Sequence, residues 1–196
     1  MEYDSRKKLT TNIELFGLPG VGKSYCIDKI ALKYNKKVIK IEKAFNFNKL
    51  KNIFTGLNKI GLYIPIIMLV KSKFNIGAIK LASVFLERIG RSYNNQNCIF
   101  DEGVMQALWG YFFRIGYDES LMKKIQKKYI YNLNQIIYIS NSKNNHQCFL
   151  EKRKQEGFYF NDNSKYIQAR DVMRKVICYI KNYNVIFYIN KPSYKE

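Results

Sequence analysis

The segment Gly17-Leu18-Pro19-Gly20-Val21-Gly22-Lys23-Ser24 constrains this chain more than any other part of its sequence. It satisfies the pattern G-x-x-x-x-G-K-[ST], and it lies between an apolar segment, Asn12 to Phe16, and a segment with helical spacing. Between a strand and a helix, successive backbone N–H groups of such a loop point at phosphate oxygens, and the helix start adds its dipole. The sequence therefore predicts a phosphate-binding loop.

The residue types of this loop indicate a nucleoside triphosphate, with ATP and Mg²⁺ as the expected cofactors. Lys23 is expected to reach the β- and γ-phosphates, and the hydroxyl of Ser24 is expected to bind Mg²⁺. The predicted nucleotide-contacting residues are Gly17, Leu18, Pro19, Gly20, Val21, Gly22, Lys23, Ser24 and Tyr25.

A second chemical signal is the acidic pair that follows the apolar segment Cys98 to Phe100. In a P-loop domain, a carboxylate at the end of a buried strand faces the metal, so Asp101 is predicted to bind Mg²⁺, directly or through water. Glu102 is predicted either to act as a general base on an acceptor hydroxyl or to orient an attacking water molecule.

Strand-like and helix-like segments alternate along all 196 residues, which predicts a single three-layer α/β domain with a parallel sheet. Helices are predicted over Lys23–Tyr34, most of 48–93, Val104–Phe113, Glu119–Asn132, Gln147–Gln155 and Ser164–Tyr183. The five predicted strands are Asn12–Phe16, Lys37–Ile41, Cys98–Phe100, Gln135–Ser140 and Val185–Ile189.

The formal net charge of +19 leaves two interpretations open. It favours an anionic partner, which would be a nucleic acid, an acidic membrane surface, or an acidic or phosphorylated substrate. However, the lysines are spread along the whole chain, and the abundance of Lys, Asn, Ile and Tyr is also typical of an AT-rich coding sequence.

Cysteine spacing and hydropathy exclude some other classes of protein. The four cysteines are scattered without a C-x-x-C pair, which argues against a zinc site or a disulfide scaffold and favours the cytoplasm. The longest apolar stretch, Gly61 to Val70, is shorter than the roughly 20 residues of a membrane-spanning helix. It predicts a buried helix, with an interfacial membrane element as the alternative.

The order of the motifs resembles that of P-loop kinases of the nucleoside monophosphate kinase and thymidylate kinase type. The resemblance depends on the glycine loop and on the basic segment Leu150-Glu151-Lys152-Arg153, which follows the fourth predicted strand. It implies the strand order 2-3-1-4-5, a helical acceptor-side insert at about 48–93 and a lid at about 141–164. In such a lid, Arg153 would stabilise the transferred phosphate, with Arg170 and Arg174 as further candidates on the long helix.

The chain departs from the thymidylate kinase pattern at two places. Asp101-Glu102-Gly103 stands where that family has Asp-Arg, and Pro19 stands where its loop carries an acidic residue, so thymidylate is not the expected substrate. By the same resemblance, the acceptor-pocket candidates are Glu87, Arg88, Arg91 and Arg114, together with Trp109, Tyr111, Phe112 and Phe113. These aromatic residues would either stack on a base or sugar, or belong to the core.

These signals together predict an ATP-dependent kinase acting on a small-molecule or nucleotide acceptor, which is expected to be an anion that the sequence does not identify. The alternative is an ATPase or nucleotide switch that acts with a protein, nucleic acid or glycan partner, in which Glu102 polarises water. A kinase acting on nucleic-acid or glycan ends is a further alternative that would use the positive charge. A homodimer is compatible with each of these functions.

Overall fold

A computed structural model describes residues 12–40, 46–73, 75–129, 135–140, 163–180 and 185–189. Its strands form one parallel sheet in the order β2-β3-β1-β4-β5, with helices on both faces, as predicted. These strands are β1 (Ile13–Phe16), β2 (Lys37–Ile39), β3 (Cys98–Phe100), β4 (Gln135–Ser140) and β5 (Val185–Ile189).

Helices connect the strands, as parallel pairing requires. The helices of the described residues are α1 (Lys23–Tyr34), α2 (Phe47–Ile60), α3 (Tyr63–Lys71), α4 (Ile76–Asn94), α5 (Val104–Ile115), α6 (Glu119–Tyr129) and α7 (Asn163–Ile180). The predicted helical insert is therefore three helices. The predicted start of β2 at Lys37 is confirmed, but the predicted end at Ile41 was wrong, because the strand ends at Ile39. The predicted helix 147–155 lies outside the described residues.

The central strand β1 is completely buried, because it pairs with β3 on one side and with β4 on the other. Ile13, Leu15 and Phe16 supply apolar side chains to both faces, as is typical of a parallel sheet covered by helices. Glu14 is also fully buried, and it interrupts this otherwise apolar strand with a carboxyl group.

The helical insert is built on a close crossing of α2 and α4. A Cβ at Gly56 would collide with the carbonyl oxygen of Leu86, and a Cβ at Gly90 would collide with that of Asn52. The two glycines therefore allow the two backbones to approach more closely than larger residues permit. This crossing fixes α2 against the helix that carries Glu87 and Arg91.

The apolar stretch around α3 is buried on one face only, which corrects the expectation of a fully buried helix. Ile64 and Met68 lie in the core, whereas Leu62, Ile66 and Val70 are exposed at a helical spacing of four residues. Within the described ranges, no single helix has the length and apolar character needed to cross a membrane; only α2 and α3 together meet those criteria, as a pair bent by 102°.

Candidate active site

Two glycines of the loop have left-handed backbone conformations. Gly20 and Gly22 have φ values of 85° and 87°, which a side chain would strain. The side chains of Leu18 and Val21 are buried and anchor the loop in the core. No side chain caps α1, which begins directly after Gly22, and an uncapped helix N-terminus favours an anion at this position.

Lys23 folds back over the loop. Its Nζ atom donates to the carbonyl oxygen of Gly17 at 2.7 Å and to that of Leu18 at 3.1 Å. The charged end of the side chain therefore already lies against the loop that is predicted to hold phosphate. Ser24 is exposed at the first turn of α1, and Tyr25 has 59% of its surface accessible.

The start of the loop is held by two elements that come much later in the chain. The amide N–H of Gly17 donates to Oε1 of Gln106 on α5 at 3.3 Å, and Gln106 is itself buried. A Cβ at Gly17 would collide with the carbonyl oxygen of Ile139 on β4. Gln106 was not predicted as a site residue, because nothing in the local sequence shows that α5 reaches the loop.

Asp101 and Glu102 form a turn at the carboxyl end of β3. The Asp101 amide donates to the carbonyl oxygen of Ile39 at 3.5 Å, and the Glu102 amide donates to Oδ1 of Asp101 at 2.8 Å. The register pairs Glu14 with Phe100, so β3 ends beside the strand that leads into the glycine loop. The structure therefore brings the two predicted motifs to the same edge of the sheet.

Glu14 is an additional polar residue beneath this edge. Its Oε1 accepts a hydrogen bond from the Met105 amide at the start of α5, whereas Oε2 is buried without a hydrogen-bond partner among the described residues. Burial raises the pKa of Glu14 to about 7, although backbone N–H groups of α5 and the charge of Arg91 oppose the shift. A Cβ at Gly103 would collide with this carboxyl group.

Arg91 connects the acidic turn to the helical insert. Its guanidinium donates to the carbonyl oxygen of Glu102 at 2.5 Å, lies 5.2 Å from the centre of the Phe100 ring, and is 3.8 Å from Glu87. Arg88 pairs with Glu87 at 3.0 Å. Glu87, Arg88 and Arg91 are all buried, and burial lowers the pKa of Arg91. They form a buried network beside Glu102.

A cavity of about 290 Å³ adjoins this network. It lies between the end of β2, the first turns of α2 and the last turns of α4. Two contacts join it to the acidic turn, since Ile39 and Arg91 line the cavity and also bond to the backbone of Asp101 and Glu102. Its lining residues are Ile39, Lys40, Asn48, Lys49, Lys51, Asn52, Glu87, Arg91, Asn94 and Asn95.

The aromatic acceptor candidates belong to the core. Tyr111 and Phe112 are fully buried, and Trp109 is 6% exposed. The Trp109 Nε1 donates to the carbonyl oxygen of Ala169, and the Tyr111 hydroxyl donates to that of Met68. Phe113 is half-buried, with its ring 5.6 Å from that of Trp109, and Arg114 is exposed. The expectation that these aromatic residues belong to the core is therefore confirmed for Trp109, Tyr111 and Phe112.

The candidate lid residues are only partly described. Arg153 lies outside the described residues, as does almost all of 141–164. On α7, Arg170 lies 5.9 Å from the centre of the Tyr166 ring, and Arg174 is exposed. Burial raises the pKa of Tyr138 on β4, and the charges of Arg170 and Arg174 oppose this shift, which places α7 over that part of the sheet.

The predicted magnesium ligands have suitable chemistry. Ser24 and Asp101 offer a hydroxyl and a carboxylate, the oxygen donors that Mg²⁺ prefers, and Mg²⁺ beside phosphates needs only one or two protein ligands. Within the described residues, no group of three or more His, Cys, Asp and Glu side chains could hold a metal by itself. Ser24 and Asp101 therefore fit a metal that is bound chiefly by phosphate and water.

The fold and the loop together define a class of protein. A G-x-x-x-x-G-K-[ST] loop joins β1 to α1 in a parallel sheet of order 2-3-1-4-5, so the chain has a P-loop nucleotide-binding fold with the strand order expected from the kinase resemblance. No family model and no curated protein matches the sequence.

Several solved structures are similar to the chain. A deoxyadenosine kinase from M. mycoides with bound dCTP has a TM-score of 0.47 and 15% identity, covering 92% of this chain and 89% of its own. YorR from Bacillus subtilis, in complex with phosphorylated GDP, has a TM-score of 0.47 and 17% identity, covering 92% and 85%. Shikimate kinase from Acinetobacter baumannii, in complex with shikimate, has a TM-score of 0.46 and 11% identity, covering 95% and 86%.

Proposed function

We propose that the protein is an ATP-dependent kinase that transfers the γ-phosphoryl group to a hydroxyl of a small acceptor. One observation carries the proposal: the Asp101–Glu102 turn lies between a phosphate-binding loop and a separate cavity. The register of β1 with β3 joins the turn to the loop, and Arg91 joins it to the cavity. A kinase needs a donor site and an acceptor site that meet at the reacting group.

The residues of the donor side have distinct roles in this proposal. The glycine loop holds the phosphates through backbone N–H groups, and Lys23 exchanges its two carbonyl partners for phosphate oxygens. Ser24 and Asp101 would hold Mg²⁺, which supplies charge neutralisation at the phosphates when it is bound.

On the acceptor side, Glu102 is proposed to receive the proton of the acceptor hydroxyl. The backbone of Glu102 is fixed from both directions, since its amide donates to Asp101 and its carbonyl accepts from Arg91. A base must be held within hydrogen-bond reach of the proton that it receives, and this support would limit the movement of Glu102. Arg153 of the proposed lid would stabilise the transferred phosphate.

The test is phosphate transfer from radiolabelled ATP to a panel of small hydroxyl compounds. We expect ATP turnover to be slow alone and to rise when an accepted compound is present, with label appearing in that compound. Replacing Glu102→Gln is expected to lower transfer by about 100-fold or more while ATP still binds. Fast ATP turnover without any acceptor, insensitive to the whole panel, would instead support the ATPase or switch alternative.

A further inference from the structure

The described residues that line the acceptor-side cavity are almost all polar or charged. Four cationic side chains, four asparagines and one carboxylate line it, and Ile39 is the one apolar residue among the ten described lining residues. The cations are Lys40, Lys49, Lys51 and Arg91. Pockets for drug-like or aromatic ligands are instead lined mainly by apolar and aromatic side chains. The cavity therefore selects for charge and hydrogen bonding.

The polar groups of the cavity differ in how firmly they are held. Arg91 is buried beside Glu87 and donates to the Glu102 carbonyl, so its position is fixed relative to the acidic turn. Asn94 donates to Oδ1 of Asn52 at 2.8 Å and so joins α4 to α2 across the cavity wall. Lys40 and Lys51 are exposed, and their flexible side chains can close on an anion at the rim.

The described lining of the cavity does not have the groups that bind a nucleobase. Bases are bound by stacking on aromatic or guanidinium planes, together with apolar contact. The aromatic residues of α5 are occupied in the core, and the face of Arg91 already lies over Phe100. None of the described lining residues carries an aromatic ring.

We infer that the acceptor is an anionic polyhydroxylated molecule, of the sugar phosphate or sugar acid class, rather than a nucleoside. This inference rests on the proposed kinase function and names the substrate class of the same site. The rim lysines bind the anionic group, and the asparagine amides with the Glu87 carboxylate bind hydroxyls. Arg91 keeps the occupied cavity next to Glu102.

Phosphoryl transfer needs only ATP, the acceptor hydroxyl and the Glu102 carboxylate. The acceptor hydroxyl oxygen forms a bond to the γ-phosphorus, and the bond from that phosphorus to the β–γ bridging oxygen breaks. The bridging oxygen keeps the electron pair and leaves with ADP, and the hydroxyl proton passes to the Glu102 carboxylate. The anionic group of the acceptor remains unchanged and serves only for binding.

The test compares four classes of acceptor at equal concentration: hexose and pentose phosphates, sugar acids, the parent neutral sugars, and nucleosides. ADP release and label transfer are measured for each, and binding without ATP is measured by calorimetry. The anionic sugars are expected to have a kcat/KM at least about tenfold above that of their neutral parents, since a hydrogen bond to a charged group is stronger than one between neutral groups. Sugar phosphates and sugar acids are scored separately, which identifies the anion.

A pair of lysines on α2 provides the matched variants. Lys51→Gln removes a cation from the cavity wall, whereas Lys59→Gln removes one that lies over the Tyr93 ring outside the cavity. Only Lys51→Gln is expected to raise the KM of the anionic acceptor, by about five- to tenfold, with the KM of ATP unchanged. Both residues are exposed, so both variants are expected to fold.

Two results would overturn the inference. One is a nucleoside or a neutral sugar as the best acceptor; the other is an anionic panel that neither binds in calorimetry nor accepts phosphate. Failure of the kinase proposal gives a different result, namely calorimetric binding of an anionic sugar with no transfer of label. The substrate class and the reaction are therefore tested by separate measurements.

Discussion

The proposed donor and acceptor sides of the site are built in opposite ways. The glycine loop is one continuous segment whose proposed binding groups are chiefly backbone N–H groups and a single lysine. The acceptor cavity is assembled from β2, α2 and α4, and its binding groups are side chains held partly by buried ion pairs. A site made of backbone groups is therefore visible in the sequence as a local motif, whereas a site made of side chains from several elements depends on tertiary packing.

The largest expected effect separates the two sides directly. Lys23→Ala should weaken ATP binding by about 100-fold or more, since truncating a charged partner of a buried pair costs about 2–5 kcal/mol. Acceptor binding without ATP should be unchanged, because Lys23 does not line the cavity. Calorimetry with each ligand measures both. Lys33→Ala, an exposed lysine on the same helix whose side chain lies over the Tyr34 ring, is the control, and equal ATP affinities in the two variants would contradict the role of Lys23.

The second effect concerns Glu14, which lies beneath the edge where both sides meet. Its pKa rises from 4.5 to about 7 on folding, so only the unfolded chain ionises between these values. Stability from this group is complete below pH 4.5 and falls as pH rises to about 7, by on the order of 3 kcal/mol. Glu14→Gln should remove this loss, as measured by urea unfolding across the range.

The control for Glu14 is Glu119, an exposed carboxylate whose pKa is lowered by hydrogen bonds to Lys123 and Tyr179. A lowered pKa gives the opposite sign, so stability from Glu119 is lost as pH falls. Glu119→Gln should therefore leave the loss between pH 4.5 and 7 in place. A wild-type profile that matches that of Glu14→Gln would show that the buried carboxyl does not resist ionisation.

The smallest of the three expected effects concerns the close crossing of α2 and α4, the two helices that line the acceptor cavity. Gly90→Ala places a Cβ against the Asn52 carbonyl and should destabilise the fold by about 1–3 kcal/mol. Gly110→Ala, in α5 with open space around it, should stabilise by about 0.5–1 kcal/mol through helix propensity. Chemical denaturation measures both, and similar midpoints would show that the α2–α4 crossing tolerates a larger separation.

The sequence predicted the strands and the glycine loop, because each depends on a local pattern of apolar residues or on one contiguous motif, and the strand order followed from the resemblance to P-loop kinases. It also placed Asp101 and Glu102 at the correct edge. Local patterns do not show which distant segments of the chain come into contact. The contact of Gln106 with Gly17 and the clustering of Lys40, Lys49 and Lys51 were therefore not predicted.

The sequence pattern determines two further features only in part. Glu14 stands between Ile13 and Leu15 in the predicted apolar strand Asn12–Phe16, and a carboxyl group in such a strand already indicates an unusual environment. The aromatic residues of α5 have two interpretations from the sequence, because helical spacing alone does not separate a core face from a surface that binds a ligand. Burial decides it for Trp109, Tyr111 and Phe112.

The position of β1 at the centre of the sheet has a consequence for how the protein matures. Ile13 is paired with Ile99 on one side and with Gln135 on the other, so the strand leaves the ribosome long before either neighbour exists. Contacts between residues that are so far apart in the sequence form late, and they slow folding. Because the glycine loop also contacts Gln106 and the backbone of Ile139, a nascent chain can complete the surroundings of this loop only when most of the chain has been synthesised.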